Sequence, residues 1–127
     1  MKNILLVDDN EALLFAFKRI SALQNFAVET ACSPEEAMRL VSSRLYDILI
    51  TDLNMTGVNT HEGYDIVKAA KRFNPNIRAF IWTAYDGTLV RAEASLIGVE
   101  GFLAKPVTFE ALLSKIDINA PIKVVQS

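Results

Sequence analysis

The chain has 127 residues, 51% of them hydrophobic and 22% charged, which suits one globular domain with a sizeable core and excludes a disordered chain. Its formal net charge of -2, without any Lys/Arg run, excludes the polybasic surface that binds bare nucleic acid. A single cysteine, Cys32, rules out an internal disulfide, and no apolar run reaches the ~18 residues needed to cross a bilayer.

Ile4 to Val7 is a continuous apolar run closed by Asp8 and Asp9. It is too short for a secretory leader and fits a strand buried on both faces; with one cysteine, the expected compartment is a reducing cytoplasm. From Asn10 to Leu23, the residues Leu13, Phe17 and Ile20 recur at i, i+4 and i+7, the spacing of an amphipathic helix. Phe26 to Ala31 reads as a second strand. Ser33-Pro34-Glu35-Glu36 starts a second helix, with Ser33 as N-cap, Pro34 at the first helical position and Glu36 closing a capping box; this helix should end near Ser43.

The run Asp47 to Thr51 predicts a third strand that delivers a carboxylate, Asp52, to the loop beyond it. A helix from Glu62 to Arg72 buries Ile66, Val67 and Ala70 and is stopped by Asn74-Pro75-Asn76. Ile77 to Thr83 contains a fourth strand and Thr88 to Ile97 a fourth helix, which Gly98 ends in a left-handed conformation. Gly101 to Ala104 is a short fifth strand, and Thr108 caps a fifth helix running to Ile116. Residues 1–120 form the domain, and residues 121–127 read as a tail or linker stub.

Alternating strands and helices imply a doubly wound α/β fold, a parallel five-stranded sheet in a three-layer α/β/α sandwich. Ligands of such sheets bind outside the carboxyl ends of the strands. Those ends carry Asp8 and Asp9, Asp52, Thr83, and Lys105 followed by Pro106. Each has a plainer reading alone: Asp8, Asp9 and Asp52 as helix or turn caps, Thr83 as an ordinary β-branched strand residue, Lys105 as a solvated charge. Together they place three carboxylates, a hydroxyl and an ammonium on one edge. Three like charges there call for a bound cation, and an all-oxygen set suits Mg²⁺, with Mn²⁺ as a substitute. Zinc is a poor fit with one Cys and one His.

In this order the motifs resemble the receiver domain of two-component response regulators, over residues 3 to 117: Asp8-Asp9, Asp52 with Met55 three residues on, Thr83-Ala84, and Lys105-Pro106. The resemblance implies a flavodoxin-like (βα)5 fold in which Asp52 accepts a phosphoryl group from a phosphohistidine on a sensor histidine kinase or histidine phosphotransfer protein. It implies Mg²⁺ held by Asp8, Asp9, Asp52 and the backbone carbonyl of Asn54, with Lys105 neutralising transferring oxygens and Thr83 bonding one of them. It further implies a cis Lys105-Pro106 bond, and an inward turn of Phe102 as Thr83 shifts, without the hydroxyl of the tyrosine often found there. Asn54 and Tyr85 occupy the positions that set phosphoryl lifetime, and the small Ala84 leaves the pocket open. The output partner would meet the fourth helix, fifth strand and fifth helix, the domain acting as a monomer or a phosphorylation-dependent dimer, with no membrane or direct nucleic-acid contact.

Two departures stand out. Thr56 replaces the usual proline, and the first glycine fitting a helix start is Gly63, which makes T-G-V-N-T-H-E-G a longer loop than the family's. His61 falls inside it and reads as a solvent-exposed loop residue. Three other classes compete. A haloacid-dehalogenase-type phosphatase needs a second Asp two residues past its nucleophile, and Asn54 and Asn10 stand there instead. A receiver-like scaffold that binds a partner without phosphorylation is set against by the complete acidic, Thr and Lys set. A dinucleotide-binding module fails because no G-x-G-x-x-G follows the first strand.

Overall fold

The three innermost strands contain the chain's densest runs of β-branched and large aliphatic residues, and both of their faces are covered. A computed structural model of the chain describes residues 2–22, 26–53, 55, 62–83, 97–105 and 108–116. Its strands are β1 (Asn3–Val7), β2 (Ala27–Ala31), β3 (Ile48–Asp52), β4 (Arg78–Thr83) and β5 (Val99–Ala104); its helices are α1 (Glu11–Ala22), α2 (Pro34–Val41), α3 (Glu62–Phe73) and a C-terminal helix, Phe109–Ile116. All strand pairs are parallel, in the order β2-β1-β3-β4-β5. This is the doubly wound, flavodoxin-like arrangement expected from the sequence. Chain direction across the sheet reverses between β1 and β3, so a crevice opens at their carboxyl ends.

Side chains alternate across the sheet and so build two cores. Leu5, Val7, Leu49, Ala79 and Ile81 meet Leu40 and Val41 of α2 and Ile66, Val67 and Ala70 of α3. Ile4, Leu6, Ile48, Ile50, Phe80 and Trp82 meet Leu14 and Phe17 of α1 and Leu112 of the C-terminal helix. Each fully buried Leu or Ile contributes about 1.5–3 kcal/mol of apolar transfer free energy, and both faces of the inner strands collect it.

Several local expectations shift by a residue or two. The buried stripe of α1 runs through Leu14, Phe17 and Ser21; Phe17 is buried as expected, whereas Leu13 and Ile20 are only half-buried and the residues after them take the deeper places. Asn10 caps this helix, its Oδ1 accepting from the Leu13 N–H at 3.1 Å. Ser33 Oγ accepts from the Glu36 N–H at 3.2 Å, as the capping box requires, but Glu36 Oε1 reaches back to the Cys32 N–H, at 3.2 Å, rather than to that of Ser33. The second helix ends at Val41, short of Ser43, with Ser42 as its C-cap. β5 begins earlier than expected, at Val99, because Val99 pairs with Ala79 before a bulge sets Gly101 opposite Phe80. Gly98 has φ +87°, the left-handed turn anticipated for it. The fourth expected helix, apart from Ile97, and the tail at 121–127 lie outside the described residues.

Candidate functional site

Strand register alone aligns most of the site. β1 and β3 are paired up to Val7 and Thr51, and β3 and β4 up to Asp52 and Trp82, so the residues following or ending these strands emerge on one edge. Asp8 is buried completely and Asp52 nearly so, whereas Asp9 is exposed. One carboxylate oxygen from each of Asp8, Asp9 and Asp52 lies within 4.8 Å of the others. The expected acidic cluster is therefore brought together by the fold.

Lys105 supplies the opposing charge. Its Nζ donates to Asp8 Oδ2 and, at 3.1 Å, to Asp52 Oδ2. Asp8 Oδ1 accepts from the Asn10 N–H at 2.9 Å, so both oxygens of Asp8 are engaged and its orientation is fixed. Burial pulls the Lys105 ammonium down, but the bond to Asp8 and the charges of Asp52 and Asp8 outweigh it, leaving its pKa above the usual lysine value. Slight desolvation, then the bond to Asp8 and its negative charge, push the exposed Asp9 carboxyl above the ordinary carboxylate value. One ammonium does not balance three carboxylates, and the crowding registers at Asp9.

Thr83 closes β4 and is buried; the Lys105 N–H donates to its carbonyl at 3.0 Å, which ties the ends of β4 and β5 together. Phe102 is half-buried and pairs with Ile81, two rungs before the Thr83–Ala104 pair. Alternation puts Phe102 and Thr83 on the same face of the sheet.

Comparison with known proteins agrees with this arrangement. The response regulator receiver domain matches residues 4–117. The chain belongs to the response regulator receiver family. It is 31% identical over 113 residues to a cyclic di-GMP phosphodiesterase of Thermotoga maritima, covering 89% of this chain and 29% of that protein. Among solved structures, the HemR receiver domain of Leptospira biflexa superposes with a TM-score of 0.84 at 24% identity, covering 98% of this chain and all of that one. The response regulator TrrA of Thermotoga maritima, solved in complex with Mg²⁺-BeF, gives 0.73 at 25% identity, with 92% and 97% covered. The chain spans 24–29% of the length of the first curated relatives it matches. Receivers are signalling domains, and no described helix of this one is long and apolar enough to cross a membrane.

The segment between β3 and α3 is held where it leaves β3 and where it enters α3. Buried Glu62 accepts the Met55 N–H at 2.8 Å through Oε1, and the Gly63 N–H donates to the Leu53 carbonyl at 2.9 Å. A Cβ on Gly63 would stand 2.5 Å from the Asp52 carbonyl oxygen and 2.8 Å from Leu53 Cα, so only glycine allows α3 to approach this closely. Gly63 is thus the right glycine for the helix start, as the sequence suggested. Thr56, His61, Asn54, Ala84, Tyr85 and Pro106, with the expected cis bond, lie outside the described residues.

Two contributors escaped the sequence. Glu62 reads as an ordinary helix-start acid, and only its burial reveals the clamp on Met55. Trp82 reads as core; its register partnership with Asp52 places it against the site. The signal that could have found it is chemical, since a buried indole N–H needs an acceptor.

Proposed function

We propose that the domain is a phosphorylation switch in which Asp52 is the phosphoacceptor. The observation that carries this reading is the Lys105 ammonium shared between Asp8 and Asp52 beside a third carboxylate, at the carboxyl edge of the sheet. The Asp52 carboxylate attacks the phosphorus of a phosphohistidine on a sensor histidine kinase or histidine phosphotransfer protein. An O–P bond forms, the N–P bond breaks, and its electron pair returns to the imidazole nitrogen.

The donor set fits Mg²⁺: oxygen ligands only, close together, with three carboxylates facing one ammonium. Asp8, Asp9 and Asp52 would hold the ion, and the Asn54 carbonyl is a further ligand in this reading. When bound, Mg²⁺ supplies positive charge to offset that of the phosphoryl oxygens. TrrA, a family member, was solved with Mg²⁺-BeF, which supports the assignment. Lys105 holds Asp52 in place beforehand and offers its ammonium to a phosphoryl oxygen during transfer. Thr83 donates its hydroxyl to another.

Signal output follows from the link between Thr83 and β5. Movement of Thr83 and Lys105 toward the new charge shifts the balance of a two-state surface formed by the expected fourth helix, β5 and the C-terminal helix, with Phe102 turning inward. A partner protein reads that surface, or a second copy does so on phosphorylation. Asn54 and Tyr85 set the lifetime of the phosphoryl group in this scheme.

Incubation with acetyl phosphate and Mg²⁺, followed by intact-mass measurement, tests the central step. One phosphate adduct is expected, absent in Asp52→Ala; an adduct that survives this substitution would sink the assignment.

A further inference from the structure

The chain's single tryptophan forms the floor of the site. Trp82 is fully buried and is the register partner of Asp52, so both side chains leave the sheet on the same face. Its indole reaches beneath β3 to β1, where Nε1–H donates to the Val7 carbonyl at 3.0 Å, immediately before Asp8. The Phe17 ring of α1 lies 5.6 Å away at 42°, which fixes the indole from below. The Lys105 Nζ sits over the ring, 5.4 Å from its centroid.

These contacts meet on one group. Lysine is a flexible four-carbon stem ending in a point charge, and Lys105 follows directly on an edge strand. Without a guide it has many rotamers that miss the reacting oxygens. The indole face attracts the ammonium electrostatically and bars the space beneath it, while the same residue's N–H holds the end of β1 that presents Asp8. We propose that Trp82 is a positioning residue for phosphoryl transfer: it holds Lys105 between Asp8 and Asp52, so that the ammonium is already aligned when a phosphoryl group arrives. This inference rests on the phosphoacceptor reading of Asp52 and adds a residue to it.

A cycle of variants separates this role from plain core packing. The rate of adduct formation with acetyl phosphate and Mg²⁺ is measured for the wild-type chain, Trp82→Phe, Lys105→Met and the double variant, with urea melts to show that each is folded. Trp82→Phe should slow the reaction about twofold to thirtyfold when Lys105 is present, and by less than about 1.5-fold when it is absent. Trp82→Leu, which lacks any aromatic face, should be slower than Trp82→Phe where it folds. In the metal-free wild-type protein, ring currents should move the Lys105 Hε resonances upfield, and Trp82→Phe should reduce that displacement. Equal losses with and without Lys105, or Lys105 resonances at their ordinary positions in the wild-type protein, overturn the positioning role alone. Failure of the wild-type chain to form an adduct overturns the phosphoacceptor reading and this role with it.

Discussion

β4 carries a cation over an aromatic ring near each of its ends, and the two arrangements differ in one decisive respect. At the amino end Arg78, itself in β4, is buried against Glu100: Nε donates to Oε1 at 3.0 Å, Nη2 lies 2.5 Å from Oε2, and the guanidinium sits 5.4 Å from the Phe80 centroid. At the carboxyl end Lys105 sits 5.4 Å from the Trp82 centroid but faces Asp8, Asp52 and, beyond them, Asp9. Arg78 and Glu100 are joined by a two-point fork, the geometry of a structural pair. The Lys105 cluster has an excess of carboxylate, which is the condition for taking up a cation and is the basis of the proposed phosphoryl transfer. The surplus of carboxylates around one ammonium, rather than burial or aromatic support, sets the carboxyl end apart from the fork at the amino end.

Swapping the loss between the two ends should break the resemblance most sharply. Lys105→Met is expected to slow adduct formation on the order of 10²–10³-fold, because it removes a donor aimed at developing charge. Arg78→Met should leave that rate within about twofold while lowering stability by ~1–3 kcal/mol; Glu100 is 30% exposed on its side chain, so water relieves part of the cost of its lost partner. Intact-mass kinetics and urea midpoints on the same preparations read both effects.

Mg²⁺ should act on only one end. At a concentration about 100 times its dissociation constant it should stabilise the wild-type fold by ~2.7 kcal/mol. Arg78→Met should keep this increment, and Asp52→Ala should lose most of it, as measured by urea melts with and without the ion.

Gly63→Ala tests the packing that fixes Asp52. A methyl 2.5 Å from the Asp52 carbonyl oxygen meets backbone and cannot be relieved by a side-chain rotation. A destabilisation of ~1–3 kcal/mol is expected, along with slower adduct formation, since the strand end must shift.

The smallest effect concerns pH. The Asp9 carboxyl lies above its ordinary value in the folded metal-free protein, so the folded state binds its proton more readily than the unfolded chain does. Stability should therefore fall as pH rises from the ordinary carboxylate value through the raised one. Asp9→Asn should flatten that slope in metal-free urea melts, with stability at neutral pH above that of the wild-type chain; a steeper slope would contradict the crowding.

The cluster at the sheet edge was legible because Asp8, Asp9, Asp52, Thr83 and Lys105 each sit beside a short apolar run, and alternating runs of this kind permit few topologies. Gly63 was legible for the same reason, as the glycine fitting the start of an amphipathic run. Trp82 and Glu62 were not, because in one dimension a tryptophan in a strand is core and a glutamate at a helix start is a favourable charge. The capping box of the second helix shows the limit at smaller scale. Ser33 and Glu36 were identified correctly, but the choice of the Cys32 rather than the Ser33 N–H depends on the path of the incoming chain.

The sequence by itself determined the period of each element, the parallel sheet and the identity of the residues at its carboxyl edge, since these follow from local patterning and the handedness of crossovers. Tertiary structure decided which charges are balanced, which aromatic lies under which cation, and how closely Gly63 brings α3 to Asp52. Those are distances between segments far apart in the chain, and they are fixed by strand register and packing.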